Sequence, residues 1–140
     1  MKKFKYTSNI NIIFYNDKDL KDQRINEIFN NIGKRCYIGD GNGRFVVFMY
    51  KDKEQIYKHE KFYLLHELGH IFYNDPTNET IADEYAVNKM GYDEAVDALS
   101  YLVIDTAKTK FAHADVKTTA LKNLLLRMKV LDIRKSAEEA

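Results

Sequence analysis

Residues 66 to 70 read His66-Glu67-Leu68-Gly69-His70. On a helix, positions i and i+4 differ by only about 40° in direction, so both imidazoles leave one face and can share a single divalent ion. Glu67 points about 100° away from His66, beside that ion, where its carboxylate can hold and deprotonate a water on the metal. One helical turn thus offers two ligands and a base, the parts of metal-assisted hydrolysis. The plainer use of the same residues is a pair of surface histidines one turn apart.

A catalytic zinc takes three protein ligands and keeps one position open. Glu79 follows His70 by nine residues, beyond the turn Asn74-Asp75-Pro76-Thr77. A turn this short folds two helices into a hairpin and returns the start of the second toward the histidines. Glu79, Ala82, Asp83 and Ala86 then form a single stripe, on which two alanines allow close approach and two carboxylates face the metal. Glu79 is the expected third ligand, and Asp83 is placed to accept the free N–H of a ligating histidine. Glu84 and Asp75 are the rival ligands. Without a metal, the acidic residues read as a solvated helix face.

The elements around the motif must hold it in place. Leu64, Leu65, Leu68, Ile71 and Phe72 fall on the arc opposite the histidines, so the helix can bury its back and turn the metal face to a cleft. Gly69 costs about 1 kcal/mol relative to Ala inside a helix, which close approach of a substrate or neighbouring helix would explain. Glu54 to Tyr73 reads as this helix, and Asp75 as N-cap with Pro76 at the first position would open the next, running to Met90. Tyr92 to about Lys108 and about Asp115 to Lys135 are two more, the last repeating Leu121, Leu124, Leu125, Met128 and Leu131. Its basic residues (Lys117, Lys122, Arg127, Lys129, Arg134, Lys135) alternate with that stripe, the pattern of an amphipathic covering helix; a removable plug or a dimer contact are the alternatives.

Upstream, Ile10 to Tyr15 is a strand, Asp17 to Ile32 a helix ending at Gly33, and Arg35 to Ile38 and Arg44 to Tyr50 two strands joined by Gly39-Asp40-Gly41-Asn42-Gly43. That Gly-rich stretch lacks the GKS or GKT ending of a phosphate loop and joins two strands. The order predicts an α+β fold, with a small three-stranded N-terminal sheet and one helix followed by a helical half that carries the motif. A chain of 140 residues without repeats or linkers reads as one domain, 1–140.

Lys and Arg total 22 against 21 Asp and Glu, a net charge of +1 that gives no reason to expect nucleic acid or a membrane surface. The longest apolar run, Phe45 to Tyr50, is far short of the roughly 20 residues of a spanning helix. Met1-Lys2-Lys3 could begin a signal peptide, but Phe4-Lys5-Tyr6-Thr7-Ser8-Asn9 breaks the apolar segment that should follow. Cys36 is the only cysteine, which excludes an internal disulfide and fits a reducing, cytoplasmic setting.

The motif together with Glu79-Thr80-Ile81-Ala82-Asp83-Glu84-Tyr85-Ala86 resembles the gluzincin arrangement of zinc metallopeptidases, in which H-E-x-x-H precedes a helix bearing E-x-x-A-[N/D]-x-[aromatic]-A. Over about residues 60 to 92 it is similar to the soluble ImmA/IrrE-like peptidases, with the HtpX-like membrane peptidases as second choice. The resemblance implies a minimal zincin-like fold, a Zn2+ cofactor and a protein or peptide substrate. It assigns His66, His70 and Glu79 as ligands, Glu67 as general base and Asp83 as the histidine's partner. It further implies that the strand Arg44 to Tyr50 lies at the cleft and pairs with substrate backbone. No residue stands at a defined spacing for the oxyanion; Tyr73, Tyr85 and His113 are the candidates, and His59 reads as an exposed residue of the helix's first turns rather than a fourth ligand. The rival reading is a non-catalytic, zinc-stabilised regulatory domain of a mobile element that binds a protein partner.

Overall fold

The computed structural model describes residues 1–24, 26–27, 35–51 and 59–139. Strands β1 (Lys2–Lys5), β2 (Ile10–Tyr15), β3 (Arg35–Gly39) and β4 (Phe45–Tyr50) form one mixed sheet in the order β1-β2-β4-β3. β2 and β4 run parallel; the outer pairs are antiparallel. Four helices follow: α1 (Glu60–Phe72), α2 (Glu79–Met90), α3 (Tyr92–Lys108) and α4 (Ala114–Glu139). The fold is α+β, as expected.

The sheet has four strands where the sequence predicts three. Lys2-Lys3-Phe4-Lys5 carries no apolar alternation because both of its faces are exposed; it pairs with β2 by backbone alone, aided by Phe4 edge-on to Phe14 at 5.6 Å. The other strands sort by period two. Ile10 and Ile12 on β2 and Val47 and Met49 on β4 face the helices, while Tyr15, Tyr50, Phe48 and Cys36 make a second cluster on the opposite side. The β3–β4 hairpin turns as anticipated: Asp40 Oδ1 accepts from the backbone of Asn42 and Arg44, and Gly41 and Gly43 adopt φ of 84° and 78°.

This order bears on the strand Arg44 to Tyr50, which the resemblance implies would pair with substrate. β4 has β2 on one side and β3 on the other, so its backbone groups are already paired and cannot receive a peptide. Among the described residues, β3 has a strand neighbour on one side only. That strand lies against α1, with Tyr37 stacked on His70 at a ring separation of 6.1 Å.

Two boundaries differ from expectation. The helix of 17–32 begins with a 3-10 turn, Asp19–Lys21, and Gln23, Arg24, Asn26 and Glu27 are helical; its other residues and Gly33 lie outside the described residues. Residues 52–58, the start of the helix expected from Glu54, also lie outside them, and α1 is seen from Glu60. α2 is not capped by Asp75. Asn78 is its N-cap, accepting from Ile81 N at 3.1 Å, because the Asp75 carboxylate is engaged within the turn by Thr77 N and Oγ1.

The core lies between the sheet and the four helices. Leu65 and Leu68 of α1 bury as predicted with Phe62, but Phe72 is half exposed, resting at the helix end on Tyr85. Leu124 and Leu131 bring α4 into the same cluster, so the last helix is part of the core, although Leu125 of its leucine repeat faces solvent. α1 and α2 meet at Gly69, where an added Cβ would stand 2.9 Å from both Ala82 Cα and Tyr85 Cβ. The glycine therefore answers to the neighbouring helix. Changing Gly69→Ala should gain about 1 kcal/mol of helix propensity yet lose more by overpacking, which costs about 1–3 kcal/mol. A urea melt should show a lower midpoint at unchanged slope.

Candidate metal centre

α1 sets the two histidines one turn apart, and both point at the start of α2. Their Nε2 atoms are 3.1 Å from each other. Glu79 offers one carboxylate oxygen to each, Oε2 to His66 and Oε1 to His70, both at 3.1 Å. One donor atom from each of the three residues lies within 4.8 Å of the other two. The rings are nearly perpendicular, at 88°.

Partners on the far side of each ring settle which nitrogen carries the proton. His70 Nδ1 is 2.8 Å from the Asp75 carbonyl, an oxygen that only accepts, so Nδ1 donates. His66 Nδ1 donates to Asp83 Oδ1 at 2.8 Å in the same way. Neutral imidazoles so oriented turn both Nε2 lone pairs inward, onto a carboxylate. Three electron-rich groups converge on one point, an arrangement that a cation must neutralise. Two imidazoles and one carboxylate are a donor set suited to a borderline divalent ion.

Protons fill that role when no metal does. Burial would lower the His66 imidazole, but hydrogen bonds to Asp83 and Glu79 lift it to about 9. His70 is raised as well, its desolvation outweighed by Glu79 and the Asp75 carbonyl. For Glu79, burial works upward, yet the hydrogen bonds from His66 and His70 hold the carboxyl well below its usual range. Glu67 goes the other way: desolvation raises it, and the nearby histidines only partly offset that.

The structure adds a residue that the sequence reading placed on a covering surface. Arg127 of α4 reaches through to Asp83, with Nε 2.8 Å from Oδ2 and Nη2 2.7 Å from Oδ1, a bidentate pair. Its Nη1 also stands 3.5 Å from Glu79 Oε2. Asp83 is only 1% exposed, and despite burial Arg127 and His66 keep its carboxyl below the ordinary range. A chain of contacts thus runs from Arg127 through Asp83 to His66. A signal was available: Arg127 stands three residues after Leu124 and four before Leu131, on the buried stripe and not beside it.

A cavity of about 260 Å³ opens on this cluster, lined by Arg35, Phe62, Tyr63, His66, Glu67, Glu79, Leu102 and Arg127. A wider groove of about 840 Å³ between the start of α2 and α4 shares Glu79 and Arg127 with it as lining residues. The remaining candidates lie elsewhere. Glu84 pairs with Arg134, and Asp75 contributes a carbonyl rather than a carboxylate. Tyr85 packs between Phe72 and Tyr73 under the Lys89 ammonium, and Tyr73 is exposed. His113 is exposed ahead of α4. His59 is buried against Tyr101 at 4.6 Å and is not among the converging donors.

The chain has no significant match among protein-family profiles, curated proteins or solved structures. Among the described residues, no helix is long and apolar enough to cross a membrane.

Two measurements follow from the geometry. Arg127→Met strands a buried carboxylate, a loss of about 3–5 kcal/mol when one partner of a buried pair is removed, and should weaken metal binding about 10–100-fold through His66. Equilibrium unfolding and metal titration read the two effects separately. Metal must also displace the proton that His66 holds below about pH 9. Apparent affinity should therefore rise with pH, about tenfold per unit for each proton released, and level off near that value. Calorimetry in buffers of different ionisation enthalpy counts the protons.

Proposed function

We propose that this chain is a zinc-dependent endopeptidase of the gluzincin type, similar to the ImmA/IrrE-like peptidases, that hydrolyses a peptide bond in a protein substrate in the cytoplasm. The observation that carries the proposal is the convergence of His66 Nε2, His70 Nε2 and a Glu79 oxygen, with Glu67 lining the same cavity as His66 and Glu79. A site built only for structure closes its coordination with a fourth protein ligand and has no use for a base. Here no further His, Cys, Asp or Glu among the described residues joins the group.

Zinc held by these three residues would polarise the scissile carbonyl and acidify an attacking water. Every other part belongs to the chain. Glu67 accepts the proton at a carboxylate oxygen and passes it to the departing nitrogen. Asp83 and Asp75 fix the imidazole orientations, and Arg127 fixes Asp83. Among the described residues β3 is an edge strand lying against α1, and an extended peptide would add there as a further strand.

Elemental analysis should find one zinc per chain in the wild type and none in His66→Ala. Glu67→Gln should keep the zinc and lose roughly 10²–10⁴-fold in peptide hydrolysis, the contribution of a positioned base. Zinc retained with no hydrolysis in either wild type or variant overturns the enzymatic reading.

A further inference from the structure

Peptide hydrolysis develops negative charge on the scissile carbonyl. As water adds to the carbon, its oxygen forms the new bond and Glu67 takes its proton. The π pair of the C=O bond moves onto the carbonyl oxygen, which becomes an anion. Tyr73, Tyr85 and His113 do not line the cavity beside Glu67; Arg127 does, together with His66 and Glu79. Its guanidinium meets Asp83 side-on, Nε at 2.8 Å and Nη2 at 2.7 Å. Because the group is planar, that grip leaves Nη1 turned away from Asp83. Nη1 stands 3.5 Å from Glu79 Oε2, the oxygen that lies 3.1 Å from His66 Nε2. The separation exceeds the ordinary N–H···O range of about 2.7–3.2 Å, and among the described residues no hydrogen bond occupies Nη1. A cation with N–H groups to spare thus stands beside the ligand oxygens, fixed by a carboxylate only 1% exposed.

We infer that Arg127 is a catalytic residue, its Nη1 donating to the oxyanion formed from the scissile carbonyl. This inference rests on the peptidase reading of the same site. A donor fixed beforehand needs no reorganisation when the charge appears, and Phe62 and Leu102 in the cavity wall keep the screening low. A ground-state carbonyl carries only a partial charge. The contact therefore strengthens as the anion develops and favours the transition state. Arginine suits both duties at once: two nitrogens hold Asp83 and the third is left for substrate, whereas lysine has one nitrogen for both.

The test compares two ligands, N-phosphoryl-Leu-Phe and N-acetyl-Leu-Phe. The first presents a tetrahedral group with anionic oxygens, the second a planar neutral carbonyl. Both are titrated calorimetrically into the zinc-loaded Glu67→Gln protein, and hydrolysis of unlabelled casein by the zinc-loaded wild type is followed in parallel. With Arg127 in place the phosphoryl ligand should bind about 100-fold more tightly or better, as transition-state analogues do. Adding Arg127→Met should cut that ratio about tenfold or more. Arg127→Lys keeps a charge for Asp83 and serves if Arg127→Met fails to fold; lacking a spare nitrogen, it should lose the ratio as well. In hydrolysis, Arg127→Lys should lower kcat about 10²–10³-fold, the effect of removing one oxyanion donor, at nearly constant KM. A ratio unchanged in both zinc-loaded variants overturns the inference and leaves Arg127 as a support for Asp83, whether or not casein is cleaved. A ratio that falls with no hydrolysis by the wild type supports the contact with an anion and overturns the peptidase reading.

Discussion

The site exists because two helices approach closely at one glycine. Gly69 lies one residue before His70, and the backbone of Ala82 and the Cβ of Tyr85 occupy the space where its side chain would be. Ala82 and Ala86 are fully buried on the facing stripe, so no larger residue holds the axes apart. Glu79 and Asp83 share that stripe, and carboxylate side chains are short. At a wider separation neither would reach an imidazole on α1. The observed contacts of 3.1 and 2.8 Å therefore depend on an atom that is missing at position 69.

Given that approach, the electrostatics stack in layers of alternating sign. Glu79 is the inner anion, and the imidazoles meet it with their Nε2 atoms while passing their Nδ1 protons outward. His70 needs only a backbone carbonyl behind it. Behind His66 stands a full carboxylate, and burying that charge is expensive unless a cation is paired with it. Arg127 supplies the cation in bidentate form and keeps a weaker hold on Glu79. The two histidines are thus backed unequally, and His66, with the charged partner, is the more basic ligand.

How much of this was legible follows from which residues report locally. The motif, Glu79, Asp83 and the reason for Gly69 could be read because helical spacing fixes direction within a turn or two, and a short loop fixes the helix hairpin. The α+β order and the Gly-rich hairpin were legible for the same reason. β1 was not, because an edge strand exposed on both faces has no hydrophobic period to detect. The sheet order was hidden too: the parallel pairing of β2 with β4 is a long-range contact, and it alone makes β4 an inner strand and, among the described residues, leaves β3 at the edge. Asp75 misled because an Asp before Pro satisfies the cap pattern, whereas here its carboxylate closes the turn on Thr77. Arg127 lies far along the chain from the motif, and only tertiary packing brings it to Asp83.

The position of Arg127 gives the last helix two duties that cannot be separated. Leu124 and Leu131 seat α4 in the core, and the arginine between them is carried inward by that seating. Once there, its charge would be costly without Asp83, and Asp83 would be costly without it. Asp83 in turn orients His66. Formation of the core and orientation of the imidazoles are consequently one event, since the helix that completes the first delivers the counter-ion for the second. An ion bound by these ligands would stabilise the packed state by mass action, and the packed state lowers the cost of binding by holding three lone-pair donors in place beforehand.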